Sequence, residues 1–250
     1  MSTSYVHLKV ENKVGYIEFY NPSHNALPAS LLATLTETIE TAAADPSIAV
    51  IVLGSGGDRT FCAGARFDEL IAISNAEEGS AFFEGFARVI NALRNCPKIT
   101  IGRVQGKAVG GGVGLAAATD YCLATVHSEI KLSELAIGIG PFVIEPAVTR
   151  KIGLSAMSQL SLEASIFFSA QWAHEKGLYM KVCPSTEVLD VEVKKLAAQL
   201  SNYNPEALLE LKKTFWEGTE HWTELLNKRA SISGRLALST FTKSQLKKFK

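Results

Sequence analysis

The sequence predicts an α/β protein with a helical C-terminal third. Three observations carry this. Short apolar strands alternate with amphipathic helices from Val6 to about Leu132. Two glycine-rich loops each follow an apolar strand. Beyond Gly140-Pro141 the apolar spacing is helical almost throughout. Strand, helix and strand recurring in this way give a core whose functional loops gather at one edge of the strands.

The segments Val6–Glu11 and Val14–Phe19 alternate apolar and polar residues around Asn12-Lys13, the pattern of a hairpin. Asn21-Pro22-Ser23-His24-Asn25 breaks the chain. Pro28 then opens a helix to about Ala44, with Leu31, Leu32, Leu35 and Ile39 on one face. After Asp45-Pro46, Ile48–Leu53 is apolar throughout, as a strand covered on both faces is. The first glycine-rich loop, Gly54 to Arg66, follows it. Phe82–Cys96 reads as an amphipathic helix ended by Pro97, and Ile99–Val104 as a β-branched strand. Strands are expected again at Tyr121–Thr125 and near Ile130–Leu132. In the last third, helices are expected at Val143–Ile152, from Ser155, up to Gly177, at Thr186–Leu200, and over roughly 205–217 and 220–238, with Asn204-Pro205 as a cap and first helical residue. Tyr179–Cys183 is a short apolar piece between them.

With 250 residues, 47% of them hydrophobic, the chain can bury one substantial core. Lys+Arg and Asp+Glu number 25 each, so no net field favours nucleic acid or an anionic membrane. The four lysines between Lys243 and Lys250 read as a solvated tail or helix end. Cys62, Cys96, Cys122 and Cys183 lie far apart without metal spacing, which suits reduced core residues of a cytoplasmic protein. The segment Met1–His7 lacks the pattern of an export signal, and no run of ~18 apolar residues occurs. The expectation is a soluble protein with no membrane or nucleic-acid partner and no metal.

The second glycine-rich stretch, Gly106 to Gly114, has five glycines in nine residues. Each raises the entropy cost of ordering the backbone, so the backbone itself is needed there. Lying between the strand Ile99–Val104 and a helix beginning near Leu115, it could aim unpaired N–H groups at a phosphate, a carboxylate or a developing oxyanion, or serve only as a tight turn. It is not a dinucleotide fingerprint, since Leu115 stands where a third glycine is required, and not a Walker loop. No G-x-S-x-G, H-E-x-x-H or Cys-x-x-Cys motif occurs. If the strands before the two glycine loops are neighbours, Phe61-Cys-Ala-Gly-Ala and Val109-Gly-Gly-Gly converge and form an oxyanion hole. Glu134, in Leu132-Ser-Glu-Leu-Ala-Ile, is a lone carboxylate among apolar residues. It reads either as an acid/base with a raised pKa or as a cap or ion-pair residue. Glu145 reads mainly as a first-turn acid, with a place in the same pocket as the alternative. The histidines at 7, 24, 127, 174 and 221 share no spacing, and Trp216 and Trp222 read as packing or subunit-contact residues.

Taken together, these segments resemble the crotonase (enoyl-CoA hydratase/isomerase) superfamily over essentially the whole chain. Asn21-Pro22-Ser23-His24-Asn25-Ala26-Leu27 is similar to the family's Arg-Pro-x-x-x-Asn-Ala-Leu, Phe61–Ala65 to its Phe-x-Ala-Gly-Ala, Gly110-Gly111-Gly112 to its glycine turn, and Asp120 to the acid closing the next helix. The resemblance implies a spiral of ββα units over 1–185 carrying the CoA and acyl site. It also implies a helical region over 186–250 that makes homotrimers, often paired into homohexamers. By the same resemblance the N–H groups of Ala65 and Gly111 hold the thioester oxygen of an acyl-CoA. Ala26, Ala63 and Ala65 lie along the CoA, and Glu134 is the principal acid/base. The CoA thioester is the substrate, so no separate cofactor is expected.

Three positions depart from the family pattern. Gly114 stands where hydratases carry a first glutamate, Arg66 replaces an Asp, and Asn21 replaces an Arg. Gly112-Val-Gly-Leu and the run from Leu132 to Gly153 resemble a bacterial branch that includes 3-methylglutaconyl-CoA hydratases of leucine breakdown. The implied activity is a lyase adding water to, or removing it from, an enoyl-CoA. An enoyl-CoA double-bond isomerase, for which one carboxylate suffices, and a non-catalytic binder of acyl-CoA or RNA are the alternatives.

Overall fold

A computed structural model describes residues 3–249. Met1, Ser2 and Lys250, on which the reading of the N-terminus and of the basic tail partly fell, lie outside them. The hairpin forms as expected: β1 (Tyr5–Glu11) and β2 (Val14–Tyr20) pair antiparallel, with Glu11 opposite Val14. Asn12 and Lys13 both take positive φ, 50° and 64°, the twist a two-residue hairpin turn requires. After α1 (Ala29–Ala44) the chain enters a repeating unit.

In each unit one strand joins a large sheet and the next joins a small one. β3 (Val50–Ser55) goes to the first and β4 (Thr60–Cys62) to the second, followed by α2 (Phe67–Ala72) and α3 (Ala76–Asn95). β5 (Ile99–Val104) and β6 (Lys107–Val109) repeat this before α4 (Gly111–Ala118), and β7 (Tyr121–Thr125) and β8 (Ile130–Lys131) repeat it again. Helices α5 (Glu145–Leu162) and α6 (Ala170–Glu175) lead to β9 (Lys181–Cys183). The large sheet has the order β1-β2-β3-β5-β7-β9 and the small one β4-β6-β8. Apart from the first hairpin, every neighbouring pair is parallel. The result is a spiral of ββα turns.

The chain ends in α7 (Thr186–Leu200), α8 (Pro205–Phe215), α9 (Trp222–Ala237) and α10 (Thr240–Leu246). β3 shows how they are used. Its period-two side chains feed two cores: Ile51 and Leu53 join the main one, while Val50 and Val52 meet Leu189, Val193 and Ala197 of α7. Trp222, Leu226 and Ala230 of α9 belong to the main core. The helices of 186–250 therefore share their apolar faces with residues 1–185. No helix among the described residues is long and apolar enough to cross a membrane.

The structure corrects several boundaries. The strand before the glycine turn is β6, not Ile99–Val104; three residues are too few for a periodic signal. The helix expected from Phe82 begins at Ala76, where Asn75 caps Glu78 N. α2 and α10 were not expected. Gly153 breaks α5 with φ 76° and ψ 160°, as its position foretold. All four cysteines are free and buried.

Candidate active site

β4 and β6 are parallel neighbours, with Cys62 opposite Ala108, so the segments that follow them leave the same edge side by side. The two loops touch. A Cβ on Gly64 would stand 3.1 Å from Val109 O and 3.6 Å from Gly111 N, and one on Gly112 would stand 2.4 Å from Cys62 O. Only bare backbone fits this approach.

Backbone hydrogen bonds fix both loops beside the pocket. Leu27 pairs with Ala65 in a parallel bridge, giving its N–H to Gly64 O (2.8 Å) and accepting from Arg66 N (3.3 Å). Both bonds flank Ala65, so the N–H of Ala65 faces away from Leu27, toward the pocket that Ala65 lines. On the other loop, Gly110 N donates to Lys131 O at 2.8 Å. Gly111 opens α4, and the N–H groups of a helix's first turn have no partner inside it. Gly110, at φ 53° and ψ −119°, is the residue that turns the strand into the helix. Gly111 itself has no positive φ. It is small for another reason: a Cβ there would lie 2.2 Å from the ring of Phe86.

Glu134 follows β8 and starts a 3-10 turn over Leu135–Ile137. Its carbonyl accepts from Ile137 N (3.2 Å) and Ile139 N (3.0 Å), which fixes the backbone beneath the carboxylate. Oε1 rests against the bare face of Gly110, 2.7 Å from where a Cβ would be. Oε2 is buried and has no hydrogen-bond partner. Removal from water disfavours the charged form, and this desolvation raises the carboxyl from 4.5 to about 7, against a smaller lowering by a backbone hydrogen bond. A carboxyl so poised can both take and return a proton near neutral pH.

The pocket containing these groups has about 650 Å³ of empty space, its open mouth included. Its walls are mainly apolar: Phe82, Phe83 and Phe86 of α3, Leu70 of α2, Ile137 and Ile139, and Phe142 to Ile144. Among the described lining residues Glu134 is the one titratable group, and Ser133 and Ser233 supply the hydroxyls. No cluster of His, Cys, Asp and Glu that could hold a metal occurs among the described residues.

Gly114 lies in α4, where a Cβ would be 2.4 Å from Ile144 Cγ2 and 2.6 Å from Ile144 Cβ. The space a side chain at 114 would use is filled by isoleucine. Ala63, Ala65, Gly111 and Glu134 thus meet at one pocket. Ala26 is half-buried on the neighbouring strap and does not line it. Glu145 does not line it either: at the start of α5 it pairs with Arg229 and accepts from Thr149 Oγ1 at 2.5 Å. Arg66 pairs with Asp68.

Three further residues shape the site. Asn25, buried at φ 54°, donates through Nδ2 to Gly56 O and Thr60 O, each at 2.8 Å, and so ties the first loop to the approach of β4. Phe86 backs Gly111, and Ser233 arrives from α9. The Asn-Ala-Leu motif pointed at the first; nothing local marked the others.

The sequence profile of the enoyl-CoA hydratase/isomerase family matches residues 9–248. The chain belongs to this family. An enoyl-CoA hydratase of Alternaria alternata is 31% identical over 183 residues, 73% of this chain, and the chain spans only 59% of that relative's length. The mitochondrial methylglutaconyl-CoA hydratase of Mus musculus is 29% identical over 220 residues, 86% of this chain and 69% of its own. A crystal structure of an enoyl-CoA hydratase from Bacillus halodurans superposes with TM-score 0.90 at 24% identity, covering 98% of this chain and 100% of the other, which shows the shared fold. In this enoyl-CoA hydratase/isomerase family member, Gly114 packs against Ile144.

Proposed function

We propose that this family member moves the double bond of an enoyl-CoA thioester. The thioester oxygen sits between Ala65 N–H and Gly111 N–H, Glu134 is the sole acid/base, and Ala26, Ala63 and Ala65 lie along the CoA. The observation that carries the reading is the single titratable group on the pocket wall, with Ile144 filling the room beside Gly114. In a 3-enoyl-CoA, Glu134 takes a proton from C2 as the C–H electron pair flows into the carbonyl, leaving a dienolate whose oxygen the two N–H groups stabilise. The same carboxyl then delivers that proton to C4 while the double bond re-forms between C2 and C3. Atoms and electrons balance with no second base. No cofactor beyond the CoA of the substrate is part of this proposal.

Hydration of a 2-enoyl-CoA is the second reading, favoured by the names of the relatives. It requires Glu134 to serve both the attacking water and C2. 3-Methylglutaconyl-CoA is the finer candidate that the relative from mouse suggests. Its distal carboxylate finds no Lys, Arg or His among the described lining residues, which supports an uncharged acyl group instead. Incubation with matched 3-enoyl and 2-enoyl thioesters, followed by mass and NMR, separates these readings. A moved double bond at constant mass supports isomerisation, gain of one water supports hydration, and binding without turnover leaves an acyl-CoA binder. A homotrimer or homohexamer in the cytoplasm belongs to the same proposal, and light scattering tests the assembly.

A further inference from the structure

Among the described residues, three buried side-chain polar atoms have no hydrogen-bond partner: Glu134 Oε2, Tyr179 Oη and Ser233 Oγ. Glu134 and Ser233 line the same pocket. The first is explained by proton transfer. The second is not, because α9 contributes nothing to the oxyanion loops or to Glu134.

Ser233 is 1% exposed. A hydroxyl on a helix ordinarily satisfies itself by donating to the carbonyl four residues back. Ser231, on the same helix, does this with Asn227 O at 3.2 Å. Ser233 makes no such bond. Its position is held closely: a Cβ on Gly79 would lie 2.7 Å from Gly234 Cα, so α9 rests backbone to backbone on α3, and Ser80 Oγ meets Ser231 Oγ at 3.0 Å. A buried hydroxyl without a partner is destabilising, and Ala would fit the helix better. The hydroxyl therefore points to a ligand oxygen.

We propose that Ser233 is a specificity-determining residue whose hydroxyl hydrogen-bonds an uncharged oxygen, a hydroxyl or a ketone, carried by the acyl chain beyond the reacting carbons. The walls around it, including Phe82, Ile137 and Ile139, suit an otherwise aliphatic chain. A carboxylate fits less well, since no cation among the described residues lines the pocket and Glu134 adds negative charge as it ionises. This rests on the reading of the pocket as an acyl-CoA site.

Calorimetry on the full chain tests it with saturated, unreactive thioesters: octanoyl-CoA against octanoyl-CoAs bearing one hydroxyl at each carbon in turn from the fifth to the eighth. At least one hydroxylated chain should bind wild type roughly 3- to 10-fold more tightly than octanoyl-CoA, the scale of one neutral hydrogen bond. Ser233→Ala should bring that ratio to about 1 without lowering the melting temperature of the free protein. No preferred position in wild type, or a preference that survives in Ser233→Ala, overturns the proposal, as does tighter binding of a chain ending in a carboxylate. Turnover of the matching 3-enoyl thioesters is read separately. Absent turnover with an intact, Ser233-dependent binding preference overturns the isomerase reading and leaves the role of Ser233 standing.

Discussion

Glu134 Oε1 stands 2.7 Å from the point a Cβ would occupy on Gly110, so the carboxylate and the turn that opens α4 share one space. Gly110→Ala should therefore damage catalysis twice. The methyl displaces the carboxylate, and φ 53° with ψ −119° is a conformation L-residues rarely adopt. The expected loss in kcat is at least ~100-fold, the scale of one oxyanion donor or one acid/base group. Calorimetry should show that a CoA thioester still binds. Unchanged steady-state kinetics in Gly110→Ala would separate this glycine from the site.

Gly114 and Ile144 form a size-matched pair, and a glutamate at 114 would need room that Ile144 fills. Gly114→Ala should destabilise the protein by ~1–3 kcal/mol, the usual effect of overpacking. Combined with Ile144→Ala, which removes the Cγ2 that the new methyl would meet, it should recover part of that loss. Urea unfolding of the two single variants and the double variant measures the coupling. Strictly additive losses would show that the pair does not share space.

Asp120 joins the C-terminal helices to the sheet. Its carboxylate accepts from Lys212 Nζ (2.9 and 2.7 Å), Trp216 Nε1 (2.7 Å), Thr100 N (2.7 Å) and Thr100 Oγ1 (2.9 Å). Lys212 Nζ also reaches Leu93 O at 2.9 Å, and both side chains of the ion pair are almost fully buried. Asp120→Ala strands the ammonium and should cost ~3–5 kcal/mol. Asp120→Ala with Lys212→Met should be more stable than Asp120→Ala alone. Denaturant midpoints decide it, and equal midpoints would mean that the ammonium finds water.

Legibility in the sequence tracked the range of the interaction. The two glycine loops, the β-branched strands and Glu134 among its apolar neighbours carry their signals within a few residues, and the structure brings the two loops and Glu134 to one pocket. Lys212 finds Asp120 across 92 positions. In the sequence Phe86 is one apolar residue of an amphipathic helix, whereas in the fold its ring limits residue 111 to glycine. The glycine requirement belongs partly to neighbours: Gly110 needs its backbone angles, whereas Gly111 and Gly114 need the room taken by Phe86 and Ile144. β4 and β6 are three residues each, too short for a period to appear. Glu145 had two readings from its sequence, and its pairing with Arg229 selects the structural one.

The raised carboxyl of Glu134 has a signed consequence for stability. Between about 4.5 and about 7 the folded chain holds a proton that the unfolded chain has released, so stability falls as pH climbs through that window. Glu134→Gln should melt higher than wild type above pH 7, and the difference should shrink toward zero as pH drops below 4.5. Activity should move oppositely. Proton abstraction needs the carboxylate, so kcat/KM should rise along a single limb with its midpoint near 7. A bell-shaped profile would require a second essential group.

Exchange of the C2 protons of hexanoyl-CoA with D2O, followed by NMR or mass, isolates the step shared by isomerisation and hydration and needs no further knowledge of the acyl group. The wild-type chain should wash deuterium into C2, and Glu134→Gln, which keeps the size of the side chain, should do so ~100- to 10,000-fold more slowly while binding the thioester comparably. Equal exchange by Glu134→Gln and wild type would contradict Glu134 as the acid/base of this site.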